Sequence, residues 1–229
     1  MIGPMATIAV ENYLKHVLLL STREPELVPM GALAAALAVT PGTATTMVKA
    51  LAEASLLRHL PHHGVSLTPS GRRLALNVLR KHRLVETFLV NILKMDWSTV
   101  HREAERLEHA ISDEVLDRLD ELLGHPQSDP HGDPIPSREG ELRIQIYATL
   151  SSCVVGTSQR IVQITDQSEN FLRFADQHGL PPGAVVRVTK RDHAAGVLTL
   201  RKPTGRSITL SLNAGAQISV ELAMSQVAS

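Results

Sequence analysis

The feature that most constrains this chain is a short segment, residues 124–138 (GHPQSDPHGDPIPSR), with four prolines and two glycines. Proline lacks a backbone N–H and clashes with the preceding helical turn, so this stretch is neither a helix interior nor a central strand. It reads as an extended arm or linker, and the sequence changes character across it. Before it, apolar residues recur at helical spacing. After it, from about Glu141, they alternate as in strands: VVRVTK, VLTLRK, SITLSL and AQISVEL. Turn residues fall every eight to twelve positions there, as in a small barrel. The piece FLRFADQHGLPPG interrupts the alternation with one short helix.

The segment before the arm has its own order. Val10 to Ser21 reads as a helix, and Pro25 and Pro29 mark a loop. Met30 to Ala38 is rich in Ala and Leu and reads as a second helix. Thr40 is a good N-cap and Pro41 suits the first helical position, so a third helix runs to about Ala54. Leu56–Leu60 and Val65–Thr68 read as two strands joined by Pro61-His62-His63-Gly64. Helix, helix, short break, helix, hairpin is the order of a winged helix-turn-helix. Further helices are expected from Ser70-Gly71 to about Leu93, from Trp97 to His109 and from Asp113 to Leu123. The fold class is therefore α+β, in three parts: a winged helix-turn-helix over 1–75, a helical part with the proline-rich arm over 76–140, and a small β-barrel over 141–229.

Composition narrows the function. The 229 residues are 43% hydrophobic but only 3% aromatic, so the cores are aliphatic. One cysteine, Cys153, excludes a disulfide framework and a multi-cysteine zinc finger. No signal peptide or membrane-length apolar run is legible, which makes a soluble cytoplasmic protein the expectation. The net charge is zero, but residues 1–83 carry +5, 84–142 carry −9 and 143–229 carry +4. A basic head suits a polyanion, and an acidic middle suits cations or partners. No nucleophile elbow, glycine-rich phosphate loop or cleft-forming carboxylate pair is present, so the chain does not read as an enzyme.

The chemistry gathers on helices. In VHREAERLEH, His101, Glu105, Glu108 and His109 fall within roughly a 100° arc. Two imidazoles and two carboxylates make a poor core stripe and a good divalent-cation face; the competing reading is a solvated surface. In RKHRLVETFL, His82 and Glu86 are four apart and share a face. If the two helices pack, His82, Glu86 and His101 converge on one ion, leaving Glu105, Glu108 and His109 for another. Asp129, His131 and Asp133 in the arm are either turn formers or a side wall for one of these sites. On the third helix, Thr40, Thr43, Thr45, Thr46 and Lys49 are the candidate DNA contacts, with His62 and His63 at the hairpin tip. Without an arginine aimed at guanine, shape readout should outweigh direct readout.

These residues resemble the diphtheria toxin repressor and manganese transport regulator family. The resemblance rests on ENYLK (11–15), LTPSGR (67–72), RKHRLVE (80–86), VHREAERLEH (100–109), SDEV (112–115), HGDPIP (131–136) and HGLPPG (178–183), and covers nearly the whole chain. It implies a metal-dependent repressor of metal-uptake genes that binds a palindromic operator in double-stranded DNA as a homodimer. It also implies that the helical part dimerises and that the tail is an SH3-like barrel. One metal site would use Glu105, Glu108 and His109 with Asn12. The other would use His82, Glu86 and His101, or draw in Asp129 and His131, with a barrel side chain for which Glu169 and Asp166 are the nearest candidates. Glu105 stands where iron-type members carry cysteine, which points to Mn2+ over Fe2+. Asn12 stands where manganese-type members carry aspartate, a neutral oxygen in place of a charged one.

Overall fold

The computed structural model describes residues 4–21 and 27–223; Pro25 lies outside them. Its residues gather into two compact units. The first comprises Met1–His82, Arg106–Leu116 and Ile135–Leu142, the second Arg83–Glu105, Asp117–Pro134 and Arg143–Ser229.

The first unit opens with helices α1 (Pro4–Ser21), α2 (Met30–Ala36) and α3 (Pro41–Glu53). As expected, Pro41 occupies the first turn of α3 and Thr40 caps it, its Oγ1 accepting the Thr43 N–H at 3.2 Å. Strands β1 (Leu57–Leu60) and β2 (Gly64–Leu67) pair antiparallel, Leu57 opposite Leu67, and form the wing. Val28 adds a bridge to Val65. Helix α4 (Pro69–Asn91) follows. The core is aliphatic: Leu14, Val17, Leu18, Leu33, Val48, Leu51 and Val65 are buried together. Each contributes about 1.5–3 kcal/mol relative to exposure. Among the described residues no single helix is long and apolar enough to cross a membrane.

Helix α5 (Val100–Leu107) is shorter than its expected span of Trp97 to His109. The Asp96 carboxylate accepts the Ser98 N–H at 2.8 Å and holds residues 97–99 in a turn; Glu108 and His109 lie in the turn that closes the helix. Helix α6 (Asp113–Leu122) precedes the arm.

In the second unit a six-stranded antiparallel sheet has the order β3-β8-β4-β5-β6-β7. Its strands are β3 (Ala148–Thr149), β4 (Ser158–Ile164), β5 (Val185–Asp192), β6 (Val197–Arg201), β7 (Ser207–Ser211) and β8 (Ile218–Leu222), with α7 (Glu169–Gln177) after β4 and α8 (Leu212–Ala216) after β7. Register shifts between Ile161 and Gln163 and between Val188 and Lys190 bend the sheet. Inward residues Ile161, Ile164, Val186, Val188, Leu198, Leu200, Leu210 and Val220 form its core with Leu172 of α7. Cys153 is part of this core, far from any role as a surface thiol.

Candidate metal centre

The arm is shaped by its first acidic residue. Asp129 Oδ1 accepts the backbone N–H groups of His131 (2.8 Å) and Asp133 (2.9 Å), the Asx turn that suits a proline-flanked loop. This fixes the backbone around His131, whose carbonyl accepts the Ile164 N–H of β4 at 2.9 Å. The buried His131 ring donates Nε2–H to the Trp97 carbonyl at 2.8 Å. Trp97 is itself held by its indole N–H on Asp176 Oδ1 at 2.9 Å. A backbone partner on one ring nitrogen is the usual way a metal-binding imidazole is oriented.

The other ring nitrogen, Nδ1, is buried without a hydrogen-bond partner and lies 3.7 Å from Glu86 Oε2. Glu86, Asp129 and His131 are all buried, and each offers one ligand atom within 4.8 Å of the others. Burial pushes the Asp129 carboxyl up to about 7, and the Asp133 and Glu86 charges push the same way. His131 is raised to about 9: burial works against the charged ring, but Glu86 and Asp129 outweigh it. The pocket thus concentrates negative field on a buried imidazole nitrogen. Three donors of this type, one of them orphaned, fit a hard or borderline dication. His101, half-exposed, donates Nδ1–H to Glu86 Oε1 at 3.1 Å, and its Nε2 lies 3.6 Å from Glu105 one helical turn on.

Arg83 and two glutamines brace the arm. The Arg83 guanidinium contacts Asp133 Oδ2 (3.0 Å), the Pro134 carbonyl (2.5 Å) and, at 3.7 Å, Asp129 Oδ2. Gln163 and Gln167 donate to the two oxygens of Asp133. Asp133 is therefore occupied in holding the loop. The barrel candidates stand elsewhere: Glu169 is exposed and paired with Arg173, and Asp166 accepts the Ser168 N–H. Neither belongs to a donor cluster among the described residues.

The first unit holds a second cluster. Glu108, fully buried, accepts from Lys15 Nζ (2.6 Å) on Oε1 and from His82 Nδ1 (2.5 Å) on Oε2. His109 donates Nδ1–H to Glu11 Oε2 at 2.5 Å, while its Nε2 lies 3.3 Å from Glu108 Oε1 without hydrogen-bond alignment. Asn12 Oδ1 is buried and unpaired. The expected residues Asn12, Glu108, His109 and His82 all lie in this unit. Glu11 and Lys15 are additions that sequence reasoning missed; their four-residue spacing on α1 was the only signal. An ammonium group already sits on the central carboxylate, so this donor set as arranged does not fit a dication.

The DNA candidates are presented to solvent. Thr40, Thr43, Thr46, Lys49, His62 and His63 are exposed and Thr45 partly so. Thr45 and Thr46 donate their hydroxyls to the carbonyls one turn back, at 2.8 and 3.1 Å, which leaves methyl groups and hydroxyl lone pairs outward.

The comparisons with known proteins follow this architecture. Residues 5–65 match the profile described as iron dependent repressor, N-terminal DNA binding domain; 68–137 match iron dependent repressor, metal binding and dimerisation domain; 148–222 match the FeoA domain. The iron-dependent repressor IdeR of Mycobacterium leprae (strain TN) is 30% identical over 192 residues, 78% of this chain and 82% of the relative. The chain belongs to the iron-dependent repressor family. Family members are metal-dependent, DNA-binding transcriptional regulators, and solved structures of such regulators are similar to the chain. A manganese-dependent transcriptional repressor in complex with manganese superposes with a TM-score of 0.82 at 36% identity, over 93% of this chain and all of the other. ScaR with bound Zn2+ gives 0.75 at 32% identity, over 93% and 99%. The α+β architecture, with winged helix-turn-helix, helical metal-binding and dimerisation part and SH3-like FeoA barrel, is that of this repressor family.

Proposed function

We propose that this family member is a manganese-responsive repressor of metal-uptake genes, acting in the cytoplasm as a homodimer on a palindromic operator. The observation that carries the reading is the buried trio Glu86, Asp129 and His131 with an unpaired imidazole nitrogen. These residues would hold the dication, and His101 stands beside them on Glu86. All donors are oxygen or imidazole nitrogen, and the one thiol lies in the barrel core, a set that favours Mn2+ over softer ions. When bound, the ion supplies a double positive charge that neutralises and cross-links these donors. The chain's own residues do the rest. Asp129 sets the arm backbone, the Trp97 carbonyl orients the His131 ring, and Arg83 anchors Asp133. The winged helix offers its threonines and Lys49 to phosphates and thymine methyls. Helix α6 leaves Val115 (49%) and Leu122 (61%) exposed, seven residues apart on one face, which suits a two-fold contact within the part whose profile carries dimerisation. The three-part division at 1–75, 76–140 and 141–229 belongs to this reading, supported by the limits of the three matched profiles.

An iron-responsive repressor is the second reading, favoured by the iron-dependent relative in M. leprae. One titration separates them. An operator is selected from genomic fragments, and its binding is measured by anisotropy in chelator, then with Mn2+, anaerobic Fe2+ and Zn2+ at fixed salt. Mn2+-selective tightening supports the proposal, and Fe2+-selective tightening replaces manganese by iron. Equal affinity in chelator and in every metal leaves a metal-independent winged-helix dimer and sinks both.

A further inference from the structure

Lys15 is 2% exposed, and its ammonium lies on a carboxylate that is wholly buried, 93 positions away in sequence. Buried lysines are uncommon, and when charged they require a partner. Here the partner is Glu108, which also accepts from His82 and approaches His109. The ammonium therefore occupies the place a cation would take among these donors, and it ties α1 to the turn that closes α5. A metal ion recruited by the same donors would have to displace it.

We infer that Lys15 is a built-in cation that replaces a metal ion in the Glu11–Asn12–His82–Glu108–His109 cluster, so that of the two clusters described above the arm alone takes a dication. The link between the first helix and Glu108 is then permanent, and metal regulates through the arm alone. Several features support this. The link to Glu108 is a 2.6 Å charge-assisted contact of the strong type. Asn12, three residues before Lys15 and so on its face of α1, offers a neutral oxygen where a carboxylate would attract a dication. The second carboxylate of the cluster, Glu11, is taken by His109. The assignment of the arm site rests on the function proposed above; the role of Lys15 does not.

The test is the ratio of bound Mn2+ to chain at saturation, by equilibrium dialysis and elemental analysis, with the full chain. Wild type should bind one ion, Glu86→Gln none and Lys15→Arg one. Lys15→Met, which keeps the aliphatic stem and removes the charge, should bind two. A wild-type ratio of two or more overturns the inference, as does a Lys15→Met ratio equal to that of wild type. A wild-type ratio of zero with one ion in Lys15→Met overturns the arm site while supporting the role of Lys15. Should Lys15→Met fail to fold, Lys15→Gln takes its place, with the same outcomes expected.

Discussion

Replacing Gly132 by alanine should weaken Mn2+ binding at the arm by about two orders of magnitude. Gly132 has φ +89°, and a Cβ there would meet the Val162 carbonyl oxygen at 1.9 Å and the Gln163 Cα at 2.7 Å. Carbon and oxygen approach to about 3.3 Å at closest in ordinary contacts. The loop must therefore retreat by more than an ångström, and both near atoms are backbone, which cannot swing aside. Retreat strips the neighbouring His131 carbonyl of the Ile164 N–H and Asp133 of the Gln163 amide. The left-handed backbone costs about 1 kcal/mol, and two net hydrogen bonds add about 2 kcal/mol. At about 1.4 kcal/mol per tenfold, 3 kcal/mol spent on reordering the arm is roughly a 100-fold loss of affinity. Gly124→Ala is the control: its φ is +73°, but a Cβ there meets nothing within 4 Å. It carries the backbone cost alone and should leave Mn2+ affinity within a few-fold. The assay is competition for Mn2+ against a chelating dye, with thermal melting in parallel. Mn2+ affinity within threefold of wild type in Gly132→Ala, with unchanged melting, would refute the reasoning.

Three further perturbations probe other links of the argument. Arg83→Met removes the only guanidinium on Asp129 and Asp133 among the contacts described; stranding buried carboxylates costs about 3–5 kcal/mol, a melting drop of roughly 10 °C that saturating Mn2+ should reduce. A melting point unchanged in chelator would show that Arg83 braces nothing. Thr40→Ala deletes the cap of α3 and should cost about 1 kcal/mol by urea unfolding, with weaker operator binding. Lys49→Ala should weaken binding to every sequence alike and lower the slope of log affinity against log salt by about one, read from anisotropy at four salt concentrations.

Much of the fold was legible because its signals are local. Thr40-Pro41 marks the start of α3 by capping chemistry, and the hairpin at 57–67 and the strands at 185–222 follow from alternation. Strand β4 was not legible: its pattern slips at the bulge between Ile161 and Gln163, which moves Gln163 out of the period-two register. The late start of α5 was hidden because a side chain, Asp96, competes for backbone N–H groups that helical periodicity assigns to the helix. At the candidate site, the residue types were legible, as was the meeting of Glu86 with His101 and with Asp129 and His131, but the contacts that orient them were not. His131 reads either as a turn former among prolines or as a side wall of a metal site; what the sequence hides is which nitrogen the Trp97 carbonyl takes, a contact 34 positions apart. Glu169 is named by resemblance alone, and its carboxylate is on Arg173. Lys15 and Glu11 carry no site signal in the sequence beyond their four-residue spacing, and only tertiary packing brings them to Glu108 and His109.

The two clusters divide a single problem in opposite ways. Both gather carboxylates and imidazoles out of water, where uncompensated charge is costly. Around Glu108 the compensating cation is part of the chain: the Lys15 ammonium arrives with the fold and stays with it. In the arm, the fixed cation, Arg83, is spread over Asp129, Asp133 and the Pro134 carbonyl, and Glu86 and Asp129 still have field enough to raise His131 to about 9. On the proposed reading the same field would favour a dication, so occupancy of the arm would follow metal supply while that of the Glu108 cluster would not. A cluster whose charge balance is open to an exchangeable cation can report metal concentration, and one closed by lysine cannot. On the proposed reading, regulation by metal would therefore fall to Glu86, Asp129 and His131, and the Lys15–Glu108 pair to the architecture that holds α1 in place.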